Sequence, residues 1–415
     1  MANASPASPA GHSAIGLFLL WFGAAVSVAE LLTGGHLAEL GLARGMWANL
    51  AGHLVGTVLL VLGGLMGYRE RLPAVMSFRL SLGRQGSWIV SLLNVLQLVG
   101  WTAVMVQQGG QALDGLLRSL WGIGNVALAT WSLGLLVGLW AMSEAWGVRA
   151  LNMLAVLLLL GLTAVLGIVV LGQPVAASAP AAAPLGLGLE LAVIMPLSWF
   201  PLIADYTSNA RSARAAWLTP FAGYFLGSTA MYAIGLRGAL ATGTADPTPM
   251  LLAAGLGLTA LLVVVLSTVT TTFLDVHSAA VSWENIFPRA PRKIVSALAA
   301  LTGTFLAVTL PSELYLDFLY LLGSIFAPVV SVVLIDYWLL RVDRRDRAID
   351  LAALASLAAG FAFHRLALGW SLPMGPTLGC ILFTAALHVA MRLALEPAAL
   401  RVLGRPASFR ARTRG

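Results

Sequence analysis

The amino-acid sequence predicts an all-α polytopic membrane protein, and three observations lead to this fold class. Of the 415 residues, 59% are hydrophobic and only 10% are charged, whereas a soluble domain carries about 25% charged residues. Apolar runs of about 20 residues, the length that crosses a bilayer as a helix, recur along the whole chain. The 43 glycines and 13 tryptophans are typical of close helix packing and of membrane interfaces.

Hydropathy predicts twelve membrane-spanning helices, which we number as spans one to twelve. A soluble protein of this composition could not cover its own surface with polar side chains, so the lipid bilayer is an expected partner. The approximate ranges of the spans are 15–34, 47–68, 87–109, 120–141, 150–171, 186–206, 216–238, 250–273, 293–310, 314–340, 348–368 and 374–394.

The positions of the basic residues predict how these spans are oriented. We name each loop by the two spans that it connects. Twenty of the 24 Lys and Arg residues fall in loops 2–3, 4–5, 6–7, 8–9 and 10–11, here called the even-numbered loops, or at the C-terminal end from residue 392 onward, all on one side of the predicted membrane. The positive-inside rule places that side, and both termini, in the cytoplasm. We therefore expect a multi-pass protein of the cytoplasmic (inner) membrane, whose net charge of +7 reflects topology and not nucleic-acid binding.

The predicted spans divide into two sets of five and a final pair. Residues 15–171 form the first five-helix repeat, residues 186–340 the second, and residues 341–394 contain helices eleven and twelve. An uncharged external linker rich in Ala and Pro, residues 172–185, separates the two repeats. Because five is an odd number, a second repeat of the first must be inverted in the membrane, as in many secondary transporters.

Two polar segments flank the predicted spans. Residues 1–14 contain no Lys or Arg, so they lack the positive region of a cleaved signal peptide and are interpreted as a disordered cytoplasmic N-terminus. Residues 395–415 form a basic cytoplasmic tail within reach of anionic lipid. The single cysteine, Cys380, lies in an apolar run, which excludes an internal disulfide framework and a Cys-based zinc site.

The first span of each repeat is predicted to be a broken helix. Span six carries Pro196 and Pro201, which remove two backbone donors and clash with the preceding turns. Span one carries Glu30, and an intramembrane carboxylate is a functional-site hypothesis by default. Interruptions at corresponding places in two repeats point to a binding site. The alternatives are two ordinary kinks, and a Glu30 that meets water at the external end of its span.

Span eight contains a run of hydroxyl side chains. Five of the six residues from Ser267 to Thr272 are Ser or Thr, and hydroxyl and carbonyl oxygens suit a hard cation such as sodium. In the alternative interpretation, these hydroxyls bond the carbonyls of their own helix. Asp275 and His277 follow the run and are expected near the cytoplasmic end of the span, at the interface, with a proton relay as the alternative.

Span three presents a polar face. Asn94, Gln97 and Trp101 are spaced by three and four residues, so a helix places them on one side. An aromatic ring beside amide groups suits a flat heterocycle, which can both stack and form hydrogen bonds. The alternative role for the same side chains is polar packing between helices.

Several short motifs together carry a resemblance to a known family. They are Thr33-Gly34-Gly35, Ser77-Phe78-Arg79 through Gly83, Gly86-Ser87-Trp88, Gln97 with Gly100-Trp101, Ala204-Asp205-Tyr206, Thr270-Thr271 and Ile335-Asp336-Tyr337. In this order they resemble the cytosine permeases of the nucleobase–cation symport family one. The stretches Gly23-Ala24-Ala25-Val26-Ser27 with Ala29-Glu30, and Gly100-Trp101-Thr102-Ala103-Val104-Met105, are most similar to the subgroup assigned to hydroxymethylpyrimidine, the thiamine precursor.

The resemblance implies an inverted five-plus-five fold with broken helices one and six, and two sites near the breaks. A sodium ion would lie between spans one and eight, held by the carbonyls of Gly23, Val26 and Ser267 and by the hydroxyls of Thr270 and Thr271. A heterocycle would stack on Trp101 and meet the span-six break. The residues implied or predicted for this solute site are Ser27, Glu30, Gln97, Trp101, Pro196, Ser198 and Trp199.

These observations predict a secondary transporter that imports a pyrimidine-type heterocycle by sodium symport through alternating access. Proton coupling, with Glu30 or Asp275 titrating, is the alternative within transport. A membrane-embedded enzyme is not favoured, because the sequence contains no HExxH motif, paired metal ligands or nucleophile–base motif. A channel is not favoured either, because no repeated pore-lining element is visible. We expect no cofactor apart from the coupling ion, no nucleic-acid partner, and a monomer.

Overall fold

The structure of the protein is a computed structural model that describes residues 11–143, 146–172, 183–255 and 257–395. In these residues every regular element is a helix. Nearly all of the expected disordered N-terminus, external linker and basic tail lies outside the described residues.

Seventeen α-helices are described, together with 3-10 helices at Leu37–Leu40 and Ser312–Leu314 and a π-helical turn at Ile335–Leu340. The α-helices are α1 (Ala14–Ala25), α2 (Val28–His36), α3 (Gly41–Glu70), α4 (Ala74–Ser77), α5 (Arg79–Leu82), α6 (Gly86–Trp121), α7 (Val126–Met142), α8 (Trp146–Gly172), α9 (Leu185–Ser198), α10 (Ile203–Thr207), α11 (Ala213–Thr242), α12 (Pro247–Ala253), α13 (Leu258–Ile286), α14 (Arg292–Thr309), α15 (Tyr315–Leu334), α16 (Leu351–Ala367) and α17 (Gly375–Leu395).

Each of the twelve predicted spans has a helical counterpart. Seven helical stretches in the described residues are long and apolar enough to cross a membrane. Four shorter apolar helices, α1, α7, α9 and α16, are 10–17 residues long. Two of these four are short because span one is split into α1 and α2, and span six into α9 and α10. The protein is therefore an all-α polytopic membrane protein with broken helices one and six.

The predicted bounds of span eight are wrong. Hydropathy placed this span at residues 250–273, whereas α13 runs from Leu258 to Ile286. Gly255 and Gly257 adopt φ angles of 65° and 49°, which are left-handed conformations that end α12 before α13 begins. Both helices are apolar, so hydropathy merged them and ended the span too early.

Helix packing divides the spans into two groups. In the first group, α11 packs against α1, α2 and α3, and α3 packs against α9. In the second, α6 and α13 pack against each other and against α7 and α14. Close approach in the first group depends on glycine: a Cβ at Gly34 would lie 2.5 Å from the Cα of Tyr232, so α2 and α11 meet backbone to backbone.

The same packing shows the inverted repeat. Each of the main contacts between two spans recurs between their counterparts five spans away. The contact between spans one and seven (α1 and α11) corresponds to that between spans six and two (α9 and α3). The contact between spans three and nine (α6 and α14) corresponds to that between spans eight and four (α13 and α7). The fifth and tenth spans obey the same rule: α8 packs on α1, α11 and α13, and α15 packs on α9, α3 and α6. Internal pseudo-two-fold symmetry of this kind is typical of secondary transporters.

Helices α16 and α17 stand outside the repeat and pack on each other and on α15. A buried ion network anchors them. Arg392 is 1% exposed and reaches Asp336 at 2.6 Å and Asp350 at 2.8 Å. Arg392 was counted among the cations that mark the cytoplasmic side, but its guanidinium is buried and paired. The presence of an arginine at position 392 is therefore explained by this buried ion network as well as by the positive-inside rule.

Loops 2–3, 6–7 and 10–11 share one face of the molecule, where the Arg71 guanidinium of loop 2–3 donates to the Ser208 carbonyl of loop 6–7 at 3.0 Å. The backbone of loop 10–11 contacts loop 2–3, where the Arg344 nitrogen donates to the Leu80 carbonyl at 2.8 Å. The N-terminal end meets loop 6–7, where the His12 nitrogen donates to the Asn209 carbonyl at 3.0 Å. The alternation that the cations predict therefore agrees with the arrangement of these loops.

Candidate functional site

The first helix break lies at Val26 and Ser27, between α1 and α2. Ser27 is extended, with φ of −143° and ψ of 159°, and its hydroxyl accepts a hydrogen bond from the Glu30 nitrogen at 3.2 Å. The local sequence Ser-x-x-Glu is a capping signature that marks a helix start. The break needs no proline, and this signature is the sequence signal that locates it.

Glu30 is buried next to this break. Its side chain is 2% exposed and does not turn back to cap its own helix. Instead, the Tyr224 hydroxyl donates to Oε1 at 3.0 Å and the Ser228 hydroxyl contacts Oε2 at 2.7 Å. The alternative in which Glu30 meets water at an outer mouth is therefore wrong, because protein hydroxyls surround the carboxyl group.

The second helix break lies between Ser198, which ends α9, and Ile203, which begins α10. Pro196 lies in the last turn of α9 and Pro201 lies in the break itself, and neither can donate a backbone hydrogen bond. Two amide side chains from α6 donate to carbonyls of this segment. Gln97 Nε2 donates to the Ser198 carbonyl at 2.8 Å, and Asn94 Nδ2 donates to the Pro201 carbonyl at 3.3 Å.

A narrow cavity lies where the two breaks face α6 and α13. Indole rings from two of these segments, Trp101 and Trp199, form part of its wall. Trp101 also makes an edge-on contact with Phe318 at 5.3 Å, and Trp199 makes one with Trp21 at 5.7 Å. The described residues that line the cavity are Ala24, Ser27, Ala29, Glu30, Trp101, Met105, Met195, Trp199, Thr271 and Asp275.

The structure brings together part of the predicted solute site. Ser27, Glu30, Trp101 and Trp199 all line the cavity. The other three predicted residues, Gln97, Pro196 and Ser198, are not among the described residues of its wall and flank it at the second break. The polar face of span three therefore serves two sites: Trp101 lines the cavity, and the Asn94 and Gln97 amides donate to backbone carbonyls of the second break.

Asp275 corrects a prediction. It was expected at the interface near the cytoplasmic end of span eight, but it is 2% exposed and lines the cavity. The error follows from the misplaced bounds of span eight, since α13 continues to Ile286 beyond this residue. Within the described part of the chain, Asp275 Oδ2 has no hydrogen-bond partner, so the carboxyl group can receive a polar group in the cavity.

The predicted sodium ligands meet in part between spans one and eight. The Thr271 hydroxyl of α13 donates to the Gly23 carbonyl of α1 at 3.2 Å. Thr270 and Ser267 instead donate to carbonyls of their own helix, at 2.7 Å to Leu266 and 3.2 Å to Val264. Thr271 therefore crosses to the first break, while Thr270 and Ser267 show the back-bonding that is common for hydroxyls in helices.

Sequence reasoning missed three residues beside Glu30. Tyr224 and Ser228 lie four residues apart on α11, which is the spacing of side chains on one helix face, and this pairing is the only signal that pointed to them. His53 of α3 contacts the Ser228 hydroxyl through Nε2 at 2.6 Å. The contact between Glu30 and Ser228 spans 198 positions of sequence, so no local pattern reveals it.

The comparisons with known proteins agree with this arrangement. The family model described as "Permease for cytosine/purines, uracil, thiamine, allantoin" matches residues 7–356. The chain belongs to this family. It is a membrane permease and not an enzyme. Cytosine permeases of Escherichia coli strains K12 and O157:H7 are each 27% identical over 350 residues, which cover 80% of this chain and 81% of the relative.

Solved structures share the fold. The inward-facing conformation of Mhp1 matches with a TM-score of 0.76 and 18% identity, covering 97% of this chain and 99% of Mhp1. Mhp1 in a closed conformation with bromovinylhydantoin, described as a nucleobase-cation-symport-1 family transporter, has a TM-score of 0.74 at 19% identity over 94% and 92% of the two chains. A sodium-coupled sialic acid symporter has a TM-score of 0.66 at 11% identity, over 92% and 89%.

Proposed function

We propose that this permease imports a pyrimidine-type heterocycle, hydroxymethylpyrimidine or a related nucleobase, together with sodium, through alternating access. The observation that carries the proposal is the cavity between the two helix breaks, where two indole rings and a buried carboxyl group face the same space. The chemistry of this lining suits a flat ring with polar edges. The names of the similar proteins, cytosine permeases and a nucleobase-cation symporter, support the same solute class.

The ring would stack on Trp101, with Trp199 closing the other side. Stacking on an aromatic ring is worth about 1–3 kcal/mol per base in nucleic-acid complexes. The Trp101 indole nitrogen has no hydrogen-bond partner among the described residues. Because this N–H points along the indole plane, it can donate to a polar group beside the ring but not to a solute stacked on the ring face.

Glu30 would select an aminopyrimidine. A carboxylate accepts a hydrogen bond from an exocyclic amino group, and a charge-assisted pair of this kind is strong and geometrically selective. Uracil presents oxo groups in place of the amino group and would face the carboxylate with acceptors. Ser27 and Asp275, which also line the cavity, would complete the polar contacts, and Gln97, Pro196 and Ser198 would hold the wall at the second break.

Sodium would bind at the first break. Its ligands would be the carbonyls of Gly23, Val26 and Ser267 and the hydroxyls of Thr270 and Thr271. The contact between Thr271 and Gly23 supports this assignment, because it brings a hydroxyl oxygen and a carbonyl oxygen from two helices to within 3.2 Å. The sialic acid symporter with the same fold is described as sodium-coupled.

Proton coupling is the second candidate, and Asp275 favours it. A buried carboxyl group in the wall of the cavity could carry a proton across the membrane with the solute. In this alternative the hydroxyl run of α13 would have only a packing role. The driving ion gradient distinguishes the two candidates.

The orientation and the division of the chain complete the proposal. We assign the face that carries loops 2–3, 6–7 and 10–11 to the cytoplasm, with both termini on that side of the cytoplasmic membrane. Residues 15–171 and 186–340 would be the two inverted repeats. A reporter fused to the C-terminus should score as cytoplasmic, and a periplasmic score would overturn the orientation.

Uptake by purified protein in liposomes tests the function. Labelled hydroxymethylpyrimidine, cytosine, uracil and hydantoin would be supplied under an inward sodium gradient or an inward proton gradient. We expect accumulation of an aminopyrimidine under the sodium gradient, and exchange of internal for external solute when no gradient is present. Accumulation under the proton gradient alone would favour the second candidate, and no accumulation of any of the four solutes would overturn the proposed substrate class.

A further inference from the structure

A hydrogen-bonded chain leads from the cavity into the first helix group through Glu30, Ser228 and His53. The Ser228 hydroxyl lies 2.7 Å from Glu30 Oε2 and 2.6 Å from His53 Nε2. His53 Nδ1 lies 2.9 Å from the backbone carbonyl oxygen of Asn49. The three side chains come from α2, α11 and α3 and are at most 2% exposed, so the chain is sealed within the protein except where Glu30 meets the cavity.

The positions of the hydrogens in this chain follow from its acceptors. The Asn49 carbonyl can only accept, so His53 Nδ1 carries a hydrogen. A neutral His53 then has Nε2 as an acceptor, and an ionised Glu30 has only acceptors. Ser228 has a single hydroxyl hydrogen and cannot donate to both. One of the two short contacts would then bring two lone pairs together in a buried site, which is costly.

Two proton arrangements satisfy both contacts. In the first, Glu30 is a carboxylic acid that donates to Ser228, and Ser228 donates to neutral His53. In the second, His53 is an imidazolium that donates to Ser228, and Ser228 donates to the Glu30 carboxylate. Both arrangements contain the same number of protons and differ only in the end of the chain that holds the extra one.

The other titratable groups around this chain lie on α11, α13 and α15. Tyr224 donates to Glu30 Oε1 from α11. The Tyr232 ring lies edge-on to His53 at 4.5 Å, with its hydroxyl donated to the Leu191 carbonyl. The Tyr315 hydroxyl of α15 bonds Thr33 at 2.5 Å, and Asp275 of α13 shares the cavity wall with Glu30. Each of these tyrosine hydroxyls thus has a hydrogen-bond partner, and His53 is the basic group of the chain.

We propose that Glu30, Ser228 and His53 share one proton, and that binding of an aminopyrimidine moves this proton from Glu30 to His53. This inference rests on the proposed function. The carboxyl O–H bond breaks and its proton passes to the Ser228 oxygen, while the Ser228 hydroxyl hydrogen passes to His53 Nε2. No proton enters or leaves the site. Glu30 then accepts from the solute as a carboxylate, and the imidazolium balances its charge inside the membrane, where an unpaired charge is costly. His53 is a positioning residue, since it acts through Ser228.

Isothermal titration calorimetry tests the shared proton. The full-length protein in saturating sodium is titrated with 4-amino-5-hydroxymethyl-2-methylpyrimidine, above the pKa of the free pyrimidine, in buffers of different ionisation enthalpy. We expect the parent to bind with no net proton release and with an affinity that does not change with pH. In His53→Gln, the amide keeps hydrogen bonds but cannot take the proton, so Glu30 must release it to the buffer. The affinity should fall roughly tenfold or more at neutral pH, and should recover as pH rises.

Two further variants separate the shared proton from a packing role. Ser228→Ala cuts the chain without touching the imidazole and should show the same proton release and the same rising pH profile. Tyr232→Phe is the matched control, because it removes a hydroxyl beside His53 that takes no part in the chain. It should bind like the parent with no proton release.

Several outcomes would overturn the inference. Proton release by the parent, or a flat pH profile and parental affinity in both His53→Gln and Ser228→Ala, would show that the proton is not shared. Absence of binding by the parent to any pyrimidine would instead overturn the proposed function, and the solute-driven proton step with it. If His53→Gln does not fold, Ser228→Ala alone decides between the two results.

Discussion

The two helix breaks occupy equivalent places in the inverted repeats, but different side-chain groups bond the backbone carbonyls at each one. The first break, at Val26 and Ser27, contains no proline, and the Thr271 hydroxyl of α13 reaches the Gly23 carbonyl, which also accepts from the Val26 nitrogen. The second break contains Pro201, and side-chain amides of α6 bond its freed carbonyls. Because α6 and α13 are themselves related by the repeat, the same architecture presents hydroxyls to one break and amides to the other.

This difference explains why the ion and the solute would bind at different sites at the centre of the molecule. A hydroxyl that donates to a carbonyl still offers its oxygen lone pairs to a cation. An amide nitrogen that donates to a carbonyl offers none. The first break is therefore suited to a cation, and the second to a fixed wall on which a solute rests.

Glu30→Gln should have the largest effect, because it removes the charge of the buried carboxyl group beside the first break. Hydrogen bonds to charged groups are worth about 1.5–3 kcal/mol, so aminopyrimidine affinity should fall roughly tenfold to a hundredfold, as measured by competition binding. Binding of uracil should change much less. If both solutes lost affinity equally, Glu30 would act on the whole cavity and not on the amino group.

Trp101→Ala removes the stacking surface that faces both breaks. Loss of about 1–3 kcal/mol of stacking should weaken solute binding roughly fivefold to a hundredfold, whereas Trp101→Phe should keep part of the affinity. Trp88→Ala is a suitable control, since this indole lies on the same helix outside the cavity wall. Equal solute affinity of Trp101→Ala and the parent would assign Trp101 to packing against Phe318.

Gln97→Leu tests the second break alone. The substitution leaves the buried Ser198 carbonyl without its amide donor, which should cost about 1–3 kcal/mol of stability, measured as a lower thermal unfolding midpoint in detergent. Sodium affinity should remain near that of the parent, because the first break is untouched. A large loss of sodium affinity with unchanged stability would contradict the separation of the two breaks.

Thr271→Val and Thr270→Val form a matched pair at the first break. Valine keeps the shape of threonine and removes the hydroxyl. Thr271 reaches Gly23 across the helix interface, whereas Thr270 bonds Leu266 of its own helix. If each hydroxyl keeps this partner, the sodium concentration for half-maximal uptake should rise about two- to tenfold in Thr271→Val and less in Thr270→Val. Equal sodium dependence of Thr271→Val and the parent would move the ion elsewhere.

Much of the fold could be read from the sequence because the signals are local. Hydropathy located the spans since each must be apolar over its own length, and prolines marked the second break since they remove donors at their own positions. The same local logic failed at span eight. There α12 and α13 are both apolar, and only the backbone conformations of Gly255 and Gly257 separate them. Asp275 was misplaced as a result.

The sequence by itself thus determined the membrane fold, the broken spans and the candidate residues Glu30 and Trp101, because each depends on a pattern within one helix. Only the tertiary structure decided which side chains surround Glu30. Tyr224, Ser228 and His53 reach it from α11 and α3, through contacts that depend on how each helix is rotated and how closely glycines let helices approach. Rotation and depth are set by all neighbouring helices at once, so no single segment of sequence encodes them.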